Sequence, residues 1–498
     1  MKGISMENAM MKKTPLLIGW ASKDITPKGR VSLSGQYYDR LSRGVHDPLR
    51  VTAWALESAA AAGPRSQAIF VSADLVCISR RLQDKVRELV QRRLPGFDTR
   101  MLVLNTTHTH AAPAPEQAVI SWLAKPTPAT ACYEALVLEQ AASAAAAAWK
   151  ARRPGGISPA LGHAAMGYCR RPTYADGTAM MYGRTDRPDF TGLEGSEDHG
   201  VEMLFCWDAA KKLTGVVVNV ACPAQVMEAR YVVSADFFGE LRKQLAKRLG
   251  RNVFVLAQVS AAGDQSPRDL TRVNRGGPTF WDEAGLVEKG RRLTDAVMEA
   301  LPDAARRISF AAPFAHTATD IELPLRRVTQ GEVAAARRGL AQLLAAEPKD
   351  KRSDRSAFAL FLADMKRREA LGGAGPYDDK SMAFVLMRNH EGVIKLHEAR
   401  WRNPRFAMEL HVMRLGDSAF AGNPFELFLD YGQRIKARSP AMHTFVVQLS
   451  GDRAGYLPSE RAVRGGGYGA LPVNGMVGPE GGRALVEATL REIDNLWK

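Results

Sequence analysis

The stretch "RMLVLNTTHTH", residues 100–110, is apolar in its first half, turns polar, and closes on two histidines one residue apart. The apolar, β-favouring run predicts a strand. Side chains two apart on an extended strand face the same way, so His108 and His110 are expected to look into one cavity where that strand runs out. Ligands gather at the carboxyl ends of strands in α/β sheets, and two imidazoles on one face suit a metal ion.

On the amino-terminal side, "PLLIGWAS", "RVTAWALES" and "QAIFVSADLVCI" read as strands and "RRLQDKVRELVQRRL" as an amphipathic helix. On the other side an Ala-rich run, "ATACYEALVLEQAASAAAAAWKARR", predicts a helix whose small residues pack closely on a sheet. Residues 167–198 form a polar, glycine-rich and aromatic loop without either period. Two more strands, the helix "FFGELRKQLAKRLG" and the strand "VFVLAQVS" complete a further β-α-β unit. Strands alternating with helices define the class: α/β, with mixed sheets flanked by helices in a single domain over 1–498. A surface helical hairpin is expected at 329–370, and strands followed by one helix close the chain.

The chain has 498 residues, 46% hydrophobic and 24% charged, so a sizeable core is available and long disordered tracts are not expected. Its net charge of +15 is scattered in short Arg and Lys pairs, which predicts a solvated basic surface able to attract anions rather than a nucleic-acid stripe. Five widely spaced cysteines predict reduced thiols. No run approaches the roughly 20 apolar residues of a membrane span, and "PLLIGWA" lacks the form of a signal peptide. The expectation is a cytoplasmic protein.

Two more segments carry chemistry. "AAGDQSPRD" places Gly263, Asp264, Ser266 and Pro267 in a tight turn, which equally suits a cap or an active-site loop. "NPFELFLDYG" sets Glu426 in an apolar string, where a carboxylate needs a cation or donors unless it reaches solvent from an edge.

Seven strings in order, "DITP", "GVHDPL", "VSADLV", "THTH" with its following proline, "SADFFGE", "GDQSP" and "GYLP", resemble the neutral ceramidase family from about residue 17 onward. The resemblance implies a zinc-dependent amidase in which a bound water attacks an N-acyl bond. It implies His108, Glu426 and Tyr456 as zinc ligands, with His110 beside them and Asp264 and Ser266 next to the scissile bond. His110 or Asp264 would take the proton, and Tyr456 and Ser266 would hold the oxyanion. Arg170 resembles the family's substrate-contacting arginine, with Arg171 a close competitor; His46 and Tyr182 are further candidates for the substrate pocket.

One ligand departs from the pattern: Cys222-Pro223 stands where the family has a histidine followed by proline. Cys222 is either a thiolate ligand to Zn2+ or a small buried thiol. The expected substrate is a small molecule derived from a glycan or lipid, polar rather than ceramide, because the loop at 167–198 offers charged forks and aromatic faces. The family's C-terminal immunoglobulin-like domain is not expected here. Rival readings are glycosidic-bond cleavage, a strand-borne H-x-H site of the (β/α)8 amidohydrolase type, and a carbohydrate or lipid binder that has lost its metal.

Overall fold

The computed structural model describes residues 16–58, 66–116, 127–350, 352–371, 382–399 and 404–498. The start of the chain, on which the reading of "PLLIGWA" partly rests, lies outside the described residues.

Eight strands make the main sheet: β1 (Leu16–Asp24), β2 (Arg50–Ser58), β3 (Gln67–Ala73), β4 (Leu102–Thr106), β5 (Arg153–His163), β6 (Gly200–Asp208), β7 (Leu213–Val220) and β8 (Phe254–Val259). Their spatial order is β8-β7-β6-β5-β1-β2-β3-β4. The outermost pairs, β3 with β4 and β7 with β8, are parallel, and the pairs between them are antiparallel. A parallel pair needs a long crossover. Helices α1 (Arg80–Arg93) and α3 (Phe237–Leu249) supply those crossovers, each set off by a side-chain cap from Ser79 or Asp236.

Strand alternation sorts the side chains into layers. Val51, Ala53 and Ala55 of β2 face α1 and α2 (Pro128–Lys150), whereas Trp54 and Leu56 face a second sheet. The Ala-rich helix does pack tightly: a Cβ at Gly19 would come within 2.0 Å of the Ala148 carbonyl oxygen, so only glycine fits β1 there. The second sheet consists of β9 (Phe314–Pro324), β10 (Arg405–Leu415), β11 (Ser418–Gly422) and β12 (His443–Val447). Trp20 and Trp54 stack at 5.7 Å and Phe420 and Phe445 at 4.2 Å between the two sheets. Helices Leu429–Arg438 and Pro479–Trp497 cover the second sheet, completing four layers, α-β-β-α. Helices Gln330–Ala345 and Ala357–Ala370 occupy 329–370, but they do not form the expected two-helix hairpin: Gln330–Ala345 packs chiefly on a third helix, Ala383–Glu398. All five cysteines are unpaired.

A buried polar chain joins the sheets. His316 Nε2 lies 3.2 Å from His411 Nδ1, and His411 in turn meets Glu409, which Arg87 also holds. Burial lowers both imidazole pKa values, to about 3 at His316. Unfolding exposes them to protonation near their ordinary value of about 6.5. Stability fully present above that pH should therefore be lost as pH falls, and for His316 the loss runs at about 1.4 kcal/mol per pH unit down to about pH 3. Denaturation of wild type and His316→Gln at a series of pH values should show one proton fewer taken up on unfolding at pH ~5 in the variant.

Candidate active site

The site lies where β4 ends. The strand stops at Thr106, and His108 adopts a left-handed backbone with φ of 59°. This corrects the expectation of two histidines on one extended face. Their convergence comes from the kink, a conformation costly for a residue with a Cβ and met most often at functional sites. It brings the two Nε2 atoms to 3.3 Å. His108 Nδ1 sits 2.7 Å from the Val76 carbonyl, so Nδ1 donates there and Nε2 is turned toward His110 and Glu426.

Glu426 and Tyr456 arrive together because Glu426–Leu427 pairs in parallel with Tyr456–Leu457, residue 426 opposite 456. The turn holding Gly263 runs against that ladder. Gly263 N–H donates to the Leu427 carbonyl at 2.8 Å, and a Cβ on Gly263 would fall 2.3 Å from the Glu426 carbonyl oxygen. Glycine in "GDQSP" is thus required by backbone approach. Glu426 Oε2 lies 3.5 Å from His108 Nε2. Burial alone would raise the Glu426 pKa, but His108 and Arg170 outweigh it and hold the carboxyl below its usual value. Burial first, then the Glu426 charge, raises the Tyr456 phenol far above its ordinary value.

Arg170 binds the assembly together. Its Nη2 donates to the Gly263 carbonyl at 2.8 Å and to the Tyr456 hydroxyl at 3.1 Å. Tyr182, also at positive φ, lines the same cavity beside it. His110 is held by two residues that motif reading missed: Gln225 Nε2 lies 2.9 Å from His110 Nε2, and Glu228 Oε2 3.3 Å from Nδ1. Burial lowers the His110 pKa to about 4, leaving a neutral ring at pH 7. Gln225 and Glu228 lie three and six residues beyond Cys222 in "CPAQVMEAR"; the available signal was two isolated polar residues, each flanked by apolar ones, in a segment leaving a buried strand. The cavity holds about 290 Å³.

The other candidates lie elsewhere. Cys222 does not reach the cavity: it packs with Val220, Phe237 and Leu241 on the helix side of the main sheet and donates to the Met166 carbonyl at 3.3 Å. Strand alternation explains this, since Ala221 takes the opposite side. Burial pushes its thiol up to about 12, which disfavours the thiolate a metal needs. Cys222→Ala should leave metal content unchanged and lower unfolding free energy by about 1 kcal/mol, measured by elemental analysis and denaturation.

Asp264 and Ser266 do not line the cavity either. Asp264 Oδ1 accepts from the Leu429 N–H at 2.9 Å, the first residue of a helix, and Ser266 Oγ accepts from Arg268 N–H at 3.2 Å. They build the turn by capping. Arg171 points into the protein interior and pairs with Glu194. His46 is exposed and lines a separate cavity with Asp47, Arg50 and Arg242.

Among the described residues, no group of three or more His, Cys, Asp or Glu side chains is placed to hold a metal ion. The set that does converge is one imidazole, one carboxylate and one phenol. The 3.5 Å between His108 Nε2 and Glu426 Oε2 is close to the edge of a tetrahedron with bonds of about 2.0–2.1 Å. An imidazole nitrogen facing a carboxylate oxygen across that gap calls for a positive species between them, either a proton on Nε2 or a metal cation.

A four-layer α/β fold with a buried His–Glu–Tyr–Arg cavity at a strand end defines the class of structure. The chain has the neutral ceramidase fold. It matches the neutral ceramidase of Pseudomonas aeruginosa with a TM-score of 0.67 at 18% identity, over 96% of this chain and 74% of that one. A ceramidase complexed with C2 matches at 0.66 and 16%, with the same coverage. No family model and no curated protein matches the sequence. Among the described residues no helix is long and apolar enough to cross a membrane.

Proposed function

We propose that this chain is a hydrolase of N-acyl amide bonds acting on a polar small molecule, with His108, Glu426 and Tyr456 holding a zinc ion. The observation that carries this reading is the convergence of those three side chains with Arg170 and His110 in one cavity of a ceramidase fold. When bound there, zinc would polarise the acyl carbonyl and acidify a water. In the reaction, water oxygen bonds to the acyl carbon, the C–N bond breaks, and the departing nitrogen takes a proton.

The protein's own groups divide the remaining work. His110 is neutral and lines the cavity, and once its Nε2 exchanges the Gln225 amide for a water it can accept that water's proton and return it to the leaving nitrogen. Glu228 and Gln225 fix the ring between them. Arg170 donates to the Tyr456 oxygen while the Tyr456 hydroxyl donates to Glu426, which together hold the phenol beside the place where negative charge would develop on the acyl oxygen.

The test is zinc content of protein purified without chelator, together with hydrolysis of a panel of short N-acyl amines, N-acyl sugars and ceramide. One zinc per chain and turnover of a polar amide support the reading; rapid turnover of ceramide alone overturns its substrate part. The retreat of Cys222 into the core favours a second reading, a metal-free binder, for which zinc content near zero and binding without turnover are expected.

A further inference from the structure

We infer that Arg453 selects a carboxylate on the substrate, and that the substrate class is a short N-acyl amino acid. The inference rests on the amide-hydrolase reading for its chemistry and on the cavity for its specificity. Among the described residues two arginines line the cavity, Arg170 and Arg453. Arg170 is buried and committed to the Gly263 carbonyl and the Tyr456 hydroxyl. Arg453 is exposed at the rim and, among the described residues, its guanidinium forms neither an ion pair nor a hydrogen bond.

Its acidic neighbour does not take it up. Asp452 Oδ1 accepts the backbone N–H groups of Arg80 and Arg453, both at 2.8 Å, so that carboxylate is turned to the start of helix α1. A planar guanidinium left over at the mouth of a reaction cavity matches the two oxygens of a carboxylate.

Size narrows the class further. About 290 Å³ is at the lower limit for ligand cavities, too little for a long acyl chain beside a polar head. An anion that meets Arg453 must therefore sit close to the scissile amide, as an α-carboxylate does. Four tyrosines (37, 182, 456 and 468) form much of the wall, surfaces suited to a flat amide and a short side chain. The net charge of +15 would draw such an anion toward the protein.

The test compares N-acetylalanine with N-acetylalaninol, which differ only in carboxylate against hydroxymethyl, on wild type, Arg453→Ala and Arg453→Glu. Wild type should favour the carboxylate in kcat/KM by at least tenfold, and Arg453→Ala should remove most of that ratio through KM rather than kcat. Arg453→Glu should reverse the preference. Equal ratios in all three proteins, or a wild-type preference for the alcohol, would overturn the assignment. Equilibrium binding of both compounds, read by ligand-observed NMR, separates the two levels of the argument. Carboxylate-selective, Arg453-dependent binding without turnover sinks the hydrolase reading and keeps this one; absence of binding by either compound sinks this one.

Discussion

Glu426→Gln is expected to remove hydrolysis by more than about a hundredfold, since even the outer partners of a metal's ligands cost that much when lost. The substitution keeps the shape of the side chain and deletes its charge. Glu426 is half-buried in the field of His108 and Arg170, and both lower its pKa. With a neutral amide in its place, Arg170 keeps its bonds to the Gly263 carbonyl, Tyr456, Tyr182 and Gln225 but loses the neighbouring anion, and so does the gap facing His108 Nε2. Zinc content should fall with activity if the three donors hold the metal. His108→Asn, which removes the other side of the 3.5 Å gap, should lose zinc to the same degree. Elemental analysis alongside kcat and KM for both variants checks this, with circular dichroism to confirm folding. Full zinc occupancy in both variants would remove the metal from these residues.

The layers and much of the site were legible in the sequence because both depend on local pattern. Alternation in "RVTAWALES" separates Val51, Ala53 and Ala55 from Trp54 and Leu56 before any contact is known, and the structure places the two sets on opposite faces. Glu426 stood out because a carboxylate in an apolar string demands a partner, and its parallel pairing with Tyr456 supplies one. What could not be read is what depends on long-range placement. The kink at His108 depends on the Val76 carbonyl, thirty-two residues away, and nothing in "TTHTH" announces a positive φ. The Cys222-Pro223 pair leaves a zinc thiolate and a buried thiol both open in sequence; a one-residue step along a strand exit decides the side, and Gln225 takes the place beside the histidines. His46 failed for a similar reason: its "HDPL" carries Asp47, whose carboxylate accepts from the Ala235 N–H at 2.8 Å, and this fixes the segment beside helix α3, lining another cavity.

Arg171→Ala is expected to cost about 3–5 kcal/mol of stability, the range for removing one partner of a buried ion pair. Alternation at "CRRP" sends Arg170 into the cavity and Arg171 inward, where its side chain is 1% exposed. There its Nε and Nη2 meet the two Glu194 oxygens at 2.6 and 3.0 Å, a forked pairing, and Nη2 also donates to the Gly466 carbonyl. Truncation would leave the Glu194 carboxylate buried, with neither of those donors. If the loss is one of uncompensated charge rather than of packing, Arg171→Met with Glu194→Met should be more stable than either single variant. Equilibrium denaturation of the four proteins measures that coupling. The same pair ties down the loop that leads to Tyr468, a wall of the cavity, so Arg171→Ala should also raise KM while the double apolar variant recovers part of it. A substrate-binding Arg171 would give the opposite pattern, with KM raised in both variants and stability unchanged; the depth of the pair argues for the first.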